Sequence, residues 1–133
     1  MASITAVGLP TRDATKLRKN GVRTTDSLLR VAATKTGRRS LAGKTKLSER
    51  DVLGWVNRAD LMRVKGIGPE YADLLEVAGV DTVKELRTRN PENLLETMTE
   101  LNARKRLVRR LPTSGMVDDW IAAARDLDPM VKY

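Results

Sequence analysis

The sequence predicts an all-α protein made of two tandem, related helical units in one compact domain. Two observations carry this. First, the chain overlays itself at a shift of 58 positions: Gly8-Leu9 falls on Gly66-Ile67, Ala14 on Ala72, Leu17 on Leu75, Gly21-Val22 on Gly79-Val80, Thr24 on Thr82 and Leu28 on Leu86. Further on, Val52-x-x-Trp55-Val56 matches Val117-x-x-Trp120-Ile121 at a shift of 65, so the second copy is longer in its middle. Such a repeat implies two similar supersecondary units, here residues 1–60 and 61–133, packed about a pseudo-two-fold axis. Second, every apolar stripe has helical spacing and no stretch sustains the alternation of a strand.

In chain order, residues Ile4 to Leu28 form a first bend at Gly8-Leu9-Pro10 followed by a helix. That helix stops at Gly21, where glycine takes a left-handed conformation without a Cβ penalty. Thr34–Lys46, with two glycines and five basic residues, reads as a loop with room for one short helix. Ser48-x-x-Asp51 then caps a helix whose apolar face is Val52, Trp55, Val56 and Ala59. Leu61–Leu75 reads as helix, Gly66-Ile67-Gly68 bend, helix, and the stripe Tyr71, Leu74, Leu75, Ala78 ends at Gly79. Thr82-x-x-Glu85 is a capping box, and Asn90-Pro91 places a cap before a first-turn proline. Leu94, Leu95, Met98 and Leu101 form the next stripe; Val117, Trp120, Ile121 and Ala124 form the last. The total is about eight to ten short helices, with Trp55 and Trp120 in a shared core.

Composition excludes much. The 133 residues contain no cysteine and no histidine, which removes disulfides, thiol chemistry, zinc ribbons and the usual general base. Asp118, Asp119, Asp126 and Asp128 are not spaced to converge on a metal, and no Walker-type loop exists. The expectation is no catalysis, no metal and no cofactor. No apolar run approaches the ~20 residues of a membrane span, and Met1–Thr5 lacks signal-peptide features. A cytoplasmic protein is expected.

The net charge is +8, unevenly spread. Residues 1–60 hold 13 Lys/Arg against 5 Asp/Glu, while residues 61–133 hold 12 of each. A basic surface attracts phosphate polyanions. On the first helix, Arg12, Lys16, Lys19 and Arg23 recur at spacings of four, three and four, close to one face. Lys35, Arg38, Arg39, Lys44 and Lys46 form a second basic group. Arg104, Lys105, Arg106, Arg109 and Arg110 form a third, where bases at a helix end also suit the dipole.

Leu61-Met62-Arg63-Val64-Lys65-Gly66-Ile67-Gly68-Pro69-Glu70-Tyr71-Ala72 is the most specific segment. Glycines permit a tight bend, Ile67 plugs the core, Pro69 opens the next helix, and the amides at its start suit a phosphate oxygen. The segment, with Gly79-Val80-Asp81-Thr82 behind it, resembles the helix-hairpin-helix motif of sequence-independent DNA-binding proteins. The first copy is similar but degenerate, with Pro10 in place of the second glycine. Nearly the whole chain resembles an uncharacterised bacterial family of tandem helix-hairpin-helix proteins, a domain of unknown function. That resemblance implies SAM-domain-like helical repeats.

The resulting expectation is a non-catalytic module that binds DNA through its phosphates, associated with the nucleoid. Gly8, Leu9, Gly66, Ile67 and Gly68 would offer backbone donors. Arg12, Lys16, Lys19, Arg23, Lys35, Arg38, Arg39 and Lys65 would supply charge. The alternative is a protein-interaction scaffold, in which the acidic Glu70–Glu76 helix meets a basic partner. With both tryptophans on apolar stripes, no stacking platform for bases remains.

Overall fold

A computed structural model describes residues 2–133. Among them the chain forms a 3-10 turn, Ile4–Val7, and eight α-helices. These are α1 (Thr11–Lys19), α2 (Thr25–Ala32), α3 (Lys35–Thr45), α4 (Glu49–Leu61), α5 (Pro69–Val77), α6 (Val83–Leu86), α7 (Pro91–Lys105) and α8 (Ser114–Asp126). The only β feature among the described residues is an isolated antiparallel bridge between Ser3 and Thr24. Two compact units divide at Asp60 and Leu61. The last four residues group with the first unit, whereas the sequence reading ran the second to 133. Their attachment is specific: the Lys132 amide donates to the Ala33 carbonyl at 2.8 Å, and Arg38 donates to the Lys132 carbonyl at 2.7 Å.

In the first unit, α1 packs on the 3-10 turn, which also packs on α2, and α2 packs on α3. Ile4, Ala14, Leu17 and Leu28 are fully buried, as are Val52 and Val56 of the α4 stripe. In the second unit, α7 packs against both α5 and α8, and α6 against α8. Its core gathers Leu61, Ile67, Leu74, Leu75, Leu86, Met98, Val117, Trp120 and Ile121. Trp120 lies in that cluster. Trp55 is buried as a residue of the first unit.

The helix stops agree with the glycine signals. Past α1, the Val22 amide reaches the Leu17 carbonyl and the Gly21 amide reaches Arg18, with Gly21 at φ 82°. Past α5, Val80 reaches Leu75 and Gly79 reaches Glu76, with Gly79 at φ 91°. This paired bonding is the Schellman stop. The starts differ more. Thr82 accepts from the Glu85 amide, but the Glu85 carboxylate turns to Arg89 at 3.1 Å, so the expected capping box is half made. The complete box stands at Thr24 and Ser27, whose side chains each accept from the other's amide.

Two expectations need correction. Residues 35–45 are not mainly loop but an eleven-residue helix. Its buried face is Arg38, Leu41, Ala42 and Thr45, a helical stripe disguised by two polar members. Thr34 caps it, and Gly37 lies so close to the Val31 carbonyl that a Cβ has no room. Second, no helix spans residues 62–65: α4 ends at Leu61 and the chain reaches Gly66 through turns.

Candidate nucleic-acid interface

Both bends sit at the surface with an apolar residue plugged inward. Gly8 and Gly66 are exposed with positive φ, while Leu9 and Ile67 are buried. In the second unit a Cβ on Gly66 would stand 3.0 Å from the Trp120 indole nitrogen, so close approach as well as φ demands glycine. At Gly8 the corresponding neighbour is the Arg58 guanidinium at 3.3 Å, which donates to the Val7 carbonyl at 3.1 Å. Gly68 is different: it has φ −97° and open space around a Cβ, so its role is the start of α5.

Of the five backbone donors named from the sequence, Gly8 and Ile67 are already engaged within the chain. The Gly8 amide closes a turn onto Thr5, and the Ile67 amide closes one onto Val64, each at 3.1 Å. Both are therefore spent inside the chain, because a tight bend consumes its own amides. Among the described residues no intrachain bond reaches the amides of Leu9, Thr11 and Arg12 in the first unit, or of Gly66, Gly68 and Glu70 in the second.

Six helices begin with a side-chain oxygen on one of their first amides: Thr24, Thr34, Ser48, Thr82, Asn90 and Thr113. The two that do not are α1 and α5, which begin at Pro10 and Gly68 directly behind the bends. An uncapped helix start with its dipole is suited to an outside anion.

The cations divide in the same way. Arg12, Lys16 and Lys19 are exposed on α1, opposite its buried Ala14 and Leu17, and Arg23 is exposed just past the stop. Arg12 is exposed and lies 3.6 Å from the carboxylate of Asp13, which is buried. The second basic group breaks up. Arg38 is 5% exposed and donates to the carbonyls of Ala32, Ala33 and Lys132. It is a structural residue: it pairs the buried Ala32 carbonyl and ties the C-terminal residues to the end of α2. Arg39 is exposed but bonded to Glu49 at 3.3 Å. Lys35 stays exposed and lines a shallow hollow of about 240 Å³ with Arg38, Glu49, Arg50, Leu53 and Tyr133. In the second unit Lys65 is exposed beside the bend, but Glu70 follows it. Asp81 titrates above the usual carboxylate range, through burial first and then through Glu76 and Glu85.

Sequence reading missed Arg58, because a cation inside an apolar helix pattern reads as solvated, and missed Asn102. The Asn102 amide clamps the backbone of Val108 from both sides, at 3.0 and 3.1 Å. Its signal was faint: one asparagine before a basic run. Among the described residues no three acidic side chains gather as a metal site, and no helix is long and apolar enough to cross a membrane.

No curated protein and no solved structure matches the chain. A model of DUF4332, a domain of unknown function, matches residues 8–127 and so takes in both bends, both glycine stops and all eight helices. The chain therefore belongs to the DUF4332 family.

Proposed function

We propose that the protein is a tandem, pseudo-symmetric helix-hairpin-helix module that binds DNA through its phosphate backbone, without reading bases and without catalysis. The observation that carries this is the pattern of caps. Of the eight helices among the described residues, only the two behind the glycine bends lack a side-chain cap, and the first of them presents Arg12, Lys16 and Lys19. Backbone amides and lysines position a phosphate chain but carry no sequence information. With the unit boundaries of the structure, the first unit holds 14 basic and 5 acidic residues and the second 11 and 12. The first unit is thus the main contact, and a place at the nucleoid follows from this reading.

The test is a titration against duplex and single-stranded DNA at two ionic strengths. About three neutralised phosphates give a slope of log K against log salt near −2.7. Lys16→Glu with Lys19→Glu weakens binding and leaves the thermal transition in place, since both side chains are exposed. A slope near zero, or no duplex binding at low salt, removes the proposal.

One observation favours a second reading, a protein-interaction module. Glu92, Glu96, Glu100 and Asp118 line a groove of about 480 Å³ floored by Pro91 and Leu95, which suits a basic segment of a protein partner. The expected acidic surface on α5 is less prominent, since only Glu70 and Glu76 of its acids are exposed. Pull-down of basic peptides with no DNA binding would select this reading.

A further inference from the structure

We infer that the second unit contacts the nucleic-acid backbone through the arginine-lined groove at the C-terminal end of α7, an inference that rests on the DNA-binding reading. The longer middle of the second copy supplies the cations that α5 lacks. Arg104, Lys105, Arg106, Arg109 and Arg110 are all exposed, and none forms an ion pair among the described residues. Arg106 and Arg109 line a groove of about 550 Å³ whose other walls are Ala103, Val108, Leu111, Thr99 and Asn102, with no acid among them. A cleft with charge of one sign and apolar walls focuses its field on an incoming polyanion.

The backbone around the groove is also held by hydrogen bonds. Arg106 ends α7 in the left-handed conformation at φ 48°, its amide bonded to the Asn102 carbonyl at 2.8 Å. The Asn102 side chain then holds Val108 by two hydrogen bonds. The Tyr71 hydroxyl donates to the Arg110 carbonyl at 3.0 Å, which ties this loop to the first turn of α5. Tyr71 in turn packs on Trp120, whose indole nitrogen faces Gly66. One run of contacts thus joins the basic loop to the uncapped start of α5. A left-handed position favours glycine, yet an arginine occupies it.

The experiment uses the full chain and a duplex of random sequence. Arg106→Gly with Arg109→Gln is compared with the wild type and with Lys16→Glu/Lys19→Glu. Two lost phosphate contacts make the salt slope shallower by about 1.8 and weaken binding about tenfold near physiological salt. The melting temperature does not fall, because glycine relieves the strain at residue 106. A second pair, Arg109→Gln with Arg110→Gln, leaves the helix cap intact and gives the same loss. Unchanged affinity and slope in both groove variants, while the α1 variant loses binding, overturn the groove and leave the α1 reading standing. Loss in the groove variants with none in the α1 variant supports the groove and overturns the α1 reading. A wild type that does not bind DNA at low salt overturns both.

Discussion

Each unit sets a positive-φ glycine and a buried apolar residue before an uncapped helix, and the two surround that bend with opposite chemistry. At positions related by 58 residues, Arg12 of the first unit stands where the second has Glu70, Arg18 where it has Glu76, and Arg23 where it has Asp81. The buried partners do not change in kind: Ala14 and Ala72, Leu17 and Leu75, Val22 and Val80 are all buried. Even the neighbour behind the bend differs, a guanidinium from α4 at Gly8 and an indole from α8 at Gly66. Backbone geometry depends on glycines and plugged apolar residues, whereas the surface is free to carry either sign. A shared bend is therefore evidence of shared structure, and shared function has to be sought in the charges around it.

The largest expected effect tests whether the two bends are mechanically alike. Gly66→Ala places a methyl 3.0 Å from the buried Trp120 ring at a φ of 95°. The left-handed backbone costs about 1–2 kcal/mol and the overpacking about as much again, for a loss of about 3 kcal/mol. Gly8→Ala meets only the end of the Arg58 side chain at 3.3 Å, which can move, so its loss stays near the backbone cost of about 1–2 kcal/mol. Denaturant titration of the two variants measures the gap. Equal losses would mean that Trp120 yields as readily as an arginine and that the second bend is not the stiffer.

A smaller effect tests the charge contrast. Glu70→Arg with Asp81→Arg gives the second unit the signs of the first. If the uncapped start of α5 faces a phosphate, DNA affinity rises about tenfold at low salt and the salt slope steepens by about 1.8. An unchanged slope would place that helix start away from the nucleic acid.

What the sequence disclosed, and what it hid, follows from the range of the signals. Stripes such as Val117, Trp120, Ile121 and Ala124 are legible because each burial is announced by an apolar residue, and all four are buried. Gly21 and Gly79 are legible because a left-handed stop favours glycine, whereas the left-handed stops at Lys46 and Arg106 carry no such mark. The helix α3 was hidden because its inward face includes Arg38 and Thr45, which fold inward only because the carbonyls of Ala32, Ala33, Lys132 and Leu41 await them. Arg38 reaches Lys132 across 94 residues of chain, a pairing no window of sequence contains. The site shows the same limit: the exposed lysines of α1 could be read from spacing. The spent amides of Gly8 and Ile67 could not, since hydrogen-bond partners are decided by the turn that closes.

The smallest effect concerns Asp81, where the first unit has Arg23. Burial, Glu76 and then Glu85 hold its carboxyl above the ordinary value of 3.8. A carboxyl whose folded pKa is raised binds its proton more readily in the folded chain. The associated stability is fully present below the unfolded value and is lost as pH rises through the folded one. At neutral pH the ionised side chain is therefore a net cost. Glu85 adds the least to it, and its carboxylate is bonded to Arg89 at 3.1 Å. Asp81→Asn removes the charge and keeps the shape, so it raises the melting temperature slightly at neutral pH and leaves it unchanged in strong acid. Melting curves of variant and wild type, compared across that range, should separate only above the carboxylate titration. A gain that persists in acid would trace to a hydrogen bond made by the amide, and the acidic cluster would then carry no cost to folding.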